Sequence, residues 1–186
     1  MMVGIATFVV GLFLWTFLEY VLHRFAFHER KLGRTVAKEH IQHHATPDYF
    51  ASALMKLKLA IPILGALALL GLLFGVGGLG LVLGVISGWQ IYEAIHRATH
   101  VRGPRNRYGA WARRHHLHHH FQNARANHGV TTPLWDWVFG TLERPATIRV
   151  PKRHVHAFGW LLAAPDDSAV AEAYRGAYEI VGGSKR

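Results

Sequence analysis

"LAIPILGALALLGLLFGVGGLGLVLGVISGWQIY" (residues 59–92) contains no charged residue. How this run divides decides the fold. A transmembrane helix needs about 20 apolar residues. The run is too long for one such helix and too short for two unless their ends reach into polar flanks. Its middle, "FGVGGLG" (74–80), has glycine at four of seven positions, a signal for a break. The pattern predicts a helical hairpin, roughly 51–74 and 79–96, with Lys56 and Lys58 extending their ammonium groups to the membrane interface. The alternative is one long span followed by an interfacial stretch.

A second apolar run precedes it. From Val3 to Leu22 the only charge is Glu19. The run lacks the basic start and small-residue cleavage site of a signal peptide, so it reads as a retained transmembrane helix. All 21 Lys and Arg fall in 24–58 or 97–186. One span followed by a hairpin puts both basic segments on the same membrane face, and the positive-inside rule makes that face cytoplasmic. A formal net charge of +10 raises nucleic acid as a partner, but anionic headgroups beside the helix ends account for the arginines, and no nucleic-acid role is expected. The absence of cysteine excludes disulfides and thiolate chemistry and leaves nitrogen and oxygen as metal ligands.

The 15 histidines are not scattered. His23 and His28 form HxxxxH in "EYVLHRFAFHE" (19–29). His40, His43 and His44 form HxxHH in "KEHIQHHATP" (38–47). His96 and His100 form HxxxH in "YEAIHRATH" (92–100), and His116, His119 and His120 form a second HxxHH in "RHHLHHHFQ" (114–122). Spacings of three and four place side chains on one helical face. The HxxxxH pair would lie about 140° apart on an ideal helix and converges only if the helix ends or bends at the membrane exit. Ten imidazoles exceed the roughly six positions of one first-row ion and suit two metals with four or five each. All four clusters fall at the same membrane face, so they can meet. Glu19 and Glu93 each precede a clustered histidine by one turn and are candidates to orient His23 and His96 through their second ring nitrogens; the alternative is ordinary ion pairing with Arg24 or Arg97. The "HHLHHH" run by itself would also suit a metal-buffering tract. A histidine-rich metal transporter or storage protein is the rival from another class, although its permeation site would be expected at mid-membrane.

The ordered boxes, with the spans so placed, resemble the fatty acid hydroxylase/sterol desaturase superfamily of integral-membrane di-iron enzymes. The likeness covers about residues 13–145 and is closest in "EYVLHRFAFHE" and in "HHLHHHFQNARANHGVTTPLWDWVFGTLERP" (115–145). The HxxxxH opening looks like the fatty acid 2-hydroxylase branch. The resemblance implies two iron ions, with zinc able to substitute, held by His23, His28, His40, His43, His44, His96, His100, His116, His119 and His120. His115 and His118 compete with the last box. His128 sits where relatives carry an aromatic residue, and it is left outside the ligand set with His154 and His156. The resemblance also implies O2 as co-substrate, a membrane lipid substrate and an external electron donor, cytochrome b5-like or ferredoxin-like. The reaction class is hydroxylation of a fatty acyl C–H; sterol or carotenoid hydroxylation or desaturation is the alternative.

The expected architecture is thus an all-α integral-membrane helical bundle of about three transmembrane helices with a cytoplasmic histidine-rich helical cap. Residues 1–150 form the catalytic domain. Residues 151–186 form an amphipathic tail packed on the same domain, with a helix over 165–181, after Pro165, capped by Asp167 or Ser168. Trp15, Phe17, Trp89 and Tyr92, near the span ends, are candidates to line a path for the lipid.

Overall fold

A computed structural model describes residues 2–164 and 169–182. Helix α1 (Met2–Val21) continues without interruption into a π-helical segment, Leu22–His28. Helix α2 (Arg34–Ala45) follows, then α3 (Ala53–Leu72), α4 (Val76–Val101), α5 (Arg107–Phe121) and the short α6 (Leu134–Val138). Helix α2 stops because Thr46 precedes Pro47: the proline ring pushes the residue before it out of the α region, and Thr46 has φ −138°. Helix α5 begins at Asn106, whose side chain accepts from the Gly109 amide at 2.7 Å, meeting one of the donors a helix start leaves unpaired.

The hairpin forms as α3 and α4. Of the four central glycines only Gly75, at φ +55°, makes the break; α4 starts at Val76, earlier than the glycine pattern suggests. Gly77, Gly78 and Gly80 lie inside α4 and are buried. Their use is close approach. A Cβ on Gly80 would collide with the Gly4 carbonyl, one on Gly84 with the Phe8 carbonyl, and one on Gly78 with the backbone of Gly71. Small residues at helix crossings let backbones pack closely in a membrane, where no hydrophobic drive pulls helices together. The contact order, Gly4 with Gly80 and Gly11 with Gly84, shows that α1 and α4 run parallel. Their carboxyl ends, which carry the histidines, therefore lie together.

Two helical stretches among the described residues, 2–28 and 76–101, are long and apolar enough to cross a membrane. Much of their surface faces outward: Val3, Val9, Val10 and Phe13 are each more than half exposed. The described residues are mostly helical, as expected, with one departure. The tail forms no capped helix over its described part. Ile148–Pro151 (β1) pairs in parallel with Tyr178–Val181 (β2), and Glu172–Tyr174 makes a single 3-10 turn; Pro165, Asp167 and Ser168 lie outside the described residues. Gly176, at φ +87°, follows that turn, and Tyr178, Ile180 and Val181 suit a pleated surface. Tertiary pairing with β1 overrides the alanine-rich helical pattern. The strands, with Val155, Phe158 and Leu161, pack on Leu117 of α5 in one buried cluster.

Candidate metal centre

Ten imidazoles converge as two groups of five. His23, His28, His40, His44 and His119 form one; His43, His96, His100, His116 and His120 form the other, and within each group the ligand-type nitrogens lie within 4.8 Å of one another. These are the ten histidines of the four boxes. The boxes do not map one-to-one onto the groups. The α2 box sends His40 and His44 to the first group and His43 to the second. The α5 box does the reverse, sending His116 and His120 to the second and His119 to the first. Spacing alone puts all three side chains of a box on one broad face. The finer periodicity explains the split: positions i and i+4 are about 40° apart, whereas i+3 falls about 60° to the other side.

The HxxxxH pair meets by winding rather than by bending. In a π-helix residue i bonds to i+5, so His23 and His28 lie about one turn apart on one side, with ring centroids 5.1 Å from each other and planes tilted by 43°. The two groups touch where His44 and His120 stack at 4.0 Å with their planes 5° apart. In the first group His28 neighbours the rings of His23, His40, His44 and His119. In the second, His100 neighbours His43, His96, His116 and His120.

Hydrogen bonding sets the tautomers. Nδ1 of His23 faces the His128 carbonyl, that of His119 faces the Ala126 carbonyl at 2.7 Å and that of His43 faces the Tyr49 carbonyl at 2.7 Å. A carbonyl only accepts, so each Nδ1 carries the proton and each Nε2 presents a lone pair. The lone pairs of His23 and His119 meet other nitrogens. His23 Nε2 is 3.0 Å from His40 Nε2, which is 2.9 Å from His28 Nε2, which is 2.9 Å from His119 Nε2. Both ends of this chain of contacts are acceptors and each inner nitrogen can hold one proton, so neutral rings cannot satisfy all three contacts. In the second group Nε2 of His43 and His96 and both nitrogens of His120 are buried without a partner. Buried unpaired acceptors are costly, and a cation in each group removes the conflict. The donor set fits a first-row metal that favours imidazole, such as iron or zinc. Burial, the first cause, keeps the cap imidazoles neutral: His43 is pushed down to about 4 and His44 to about 2, and His40, His116, His119 and His120 are lowered too, with neighbouring histidines adding to the effect.

The competing histidines point elsewhere. His115 Nε2 bonds the buried Asp136 at 3.2 Å, and His118 Nε2 bonds Glu143 at 2.6 Å. His154 stacks on Phe121, and His156 is exposed. His128 lies beside the first group, 5.2 Å from His119 and 5.4 Å from His23 by ring centroids. The carboxylates do not bond the histidines they precede. Glu19 accepts from the Val130 and Thr131 amides and from Thr131 Oγ1, and so holds the loop whose His128 carbonyl orients His23. Glu93 is held by Lys56 of α3 and by Trp89 Nε1; its partner is neither His96 nor Arg97. Sequence reading missed Asp136, which accepts from the His128 and Gly129 amides, Thr141 Oγ1 and His115. Its position in "WDW" carries no periodic signal.

An apolar cavity of about 370 Å³ runs between α1, α3 and α4 to the histidines. His23, His40, His43 and His96 floor it, so it opens on both groups. Trp15, Trp89 and Tyr92 line it as expected. Phe17 instead packs on Trp135 and Phe139.

The sequence profile of the family described as "Fatty acid hydroxylase" matches residues 8–141, a stretch that holds all four boxes and the cavity. The chain belongs to the fatty acid hydroxylase family. Curated members agree. A fatty acid 2-hydroxylase of Mus musculus is 33% identical over 151 residues, covering 75% of this chain and 40% of that protein. A dihydroceramide fatty acyl 2-hydroxylase of Arabidopsis thaliana is 31% identical over 159 residues, covering 78% and 62%. A solved structure described as full-length scs7p, with only the hydroxylase domain visible, superposes with a TM-score of 0.65 at 28% identity, covering 76% of this chain and 57% of that one. This hydroxylase-family chain spans 40% of the length of the first mammalian relative it matches.

Proposed function

We propose that this chain is a multi-pass membrane oxygenase that hydroxylates a lipid fatty acyl chain at a two-metal centre. The balance is R–H + O2 + 2e⁻ + 2H⁺ → R–OH + H2O, with the electrons from an external donor, cytochrome b5-like or ferredoxin-like. Two groups of five inward-facing imidazoles opening on one apolar cavity carry this reading. The relatives' names supply the acyl substrate class. The charge segregation supports three spans, α1, α3 and α4, with the histidine cap on the cytoplasmic face.

The ten box histidines would hold two iron ions, which when bound supply the O2-activating redox chemistry that no side chain here can perform. The chain's own work is placement. The Nδ1 bonds of His23, His43 and His119 fix their rings before metal arrives. The cavity admits an acyl chain sideways from the bilayer and shields the reacting carbon from water. The Lys56–Glu93 pair in its wall, with Glu93 one helical turn before His96, offers paired charges to the lipid's polar end beside the histidines.

The test is turnover of the iron-loaded, reduced protein in lipid bilayers under ¹⁸O2. Mass spectrometry should show one labelled oxygen in an acyl chain, and the zinc-loaded protein, being redox-inert, should give none. Loss of two hydrogens without oxygen would mark a desaturase, and oxidation of added sterol or carotenoid alone would name that branch. Metal flux across the bilayer with no O2 uptake would overturn the oxygenase reading in favour of a transporter.

A further inference from the structure

Helix α6 and the residue after it are built unlike the rest of the cap. Trp137, Val138 and Phe139 are 68%, 50% and 46% exposed, a large apolar face in a segment whose one charge from Gly129 to Leu142, Asp136, is fully buried. The segment packs sideways on α1: Trp135 lies 5.6 Å from Phe13 and 4.9 Å from Phe17 by ring centroids, Trp135 Nε1 donates to Thr16 Oγ1 at 2.9 Å, and Phe139 stacks on Tyr20 at 5.1 Å.

That position has a depth. At a rise of 1.5 Å per residue, Phe13 and Phe17 lie about 12 and 6 Å back from the end of α1 at Val21, inside the apolar span. The exposed face of α6 is continuous with the outward side of α1, where Phe13 is 53% exposed. Irregular backbone survives in lipid only when its polar groups are paired. Here the amides of Trp137, Phe139, Gly140 and Thr141 all bond to Pro133, Trp135, Trp137 and Asp136 carbonyls.

We propose that Trp137–Phe139 is a membrane wedge whose occupant is the upper acyl-chain zone of the bilayer, just beneath the headgroups on the histidine side. Tryptophan is favoured at that depth. The wedge is tied to the site by Asp136, which sits between the two tryptophans and accepts from the backbone of His128 and Gly129 and from His115. Lipid contact on one side of α6 thereby fixes the height of the histidine cap above the cavity.

The chain has no cysteine, so Val138→Cys carries a unique spin label. Trp137→Cys is the second variant, and Val9→Cys in α1 and Lys152→Cys in the cap are the lipid and water references. In liposome-reconstituted protein, collision of the label with O2 should exceed that at Lys152 and stay below that of the deeper Val9 reference. Collision with a water-soluble nickel chelate should be several-fold lower than at Lys152. Nickel collision equal to the Lys152 reference would overturn the wedge. So would protection from both reagents, which would mean that a second copy or another protein covers the face.

Discussion

His119 uses its two ring nitrogens differently: Nδ1 on the Ala126 carbonyl and Nε2 toward His28. His118, one residue earlier, turns Nε2 out to the half-exposed carboxylate of Glu143. Adjacent, chemically identical residues therefore carry different expectations. His28→Ala should remove the ring that neighbours four others, cut bound metal from two ions per chain toward one, and abolish hydroxylation. His118→Ala should leave metal content and turnover near wild type, because Glu143 stays solvated. Metal analysis of the two purified variants side by side checks this; equal metal loss in both would mean that His118 belongs to the centre.

Helices meet here through glycine, and two helical glycines have opposite surroundings. Gly84→Ala should drive its methyl into the Phe8 carbonyl and to 2.9 Å from Gly11 Cα, an overpacking cost of about 1–3 kcal/mol. Gly65 in α3 has no neighbour within 4 Å of where a Cβ would sit. Gly65→Ala should gain up to about 1 kcal/mol from helix propensity. Thermal unfolding in detergent or lipid reports both, and opposite signs are the expectation. The hairpin itself was legible because charge is absent from 59–92 and glycine clusters in its centre. The packing role of Gly77, Gly78 and Gly80 was not, because it depends on which backbone passes beside them.

Across the whole molecule, the tail cluster supports the histidine cap. Phe158 is buried, 5.6 Å from the His100 ring, and Trp160 Nε1 donates to the His100 carbonyl at 2.8 Å. Phe158→Ala should cost about 3–5 kcal/mol and weaken metal retention at the group containing His100, seen as faster loss to a chelator. Acid should destabilise the metal-free fold as a whole. The unfolded imidazoles protonate as pH falls through about 6.5, but His43 and His128 resist until about 4 and His44 until about 2. The unfolded state therefore binds more protons through that window, and stability falls as pH drops. Denaturant midpoints of metal-stripped protein at neutral pH and at about pH 5 test the sign; an unchanged midpoint would mean that these rings are solvated.

Composition and period were enough to place the apolar runs, their break, the segregation of positive charge and the four histidine boxes. Each of these is local to a stretch of chain. How the boxes divide between two groups was settled by packing, because it depends on what faces i+3 as against i and i+4. Packing also settled the π winding that reconciles a five-residue spacing, the indirect role of Glu19 through the His128 loop, the pairing of Glu93 with Lys56, and the strand where the tail read as a helix. Each of these rests on partners distant in the chain, and local propensity yields to such contacts when they bury or pair groups that a lone segment leaves in solvent.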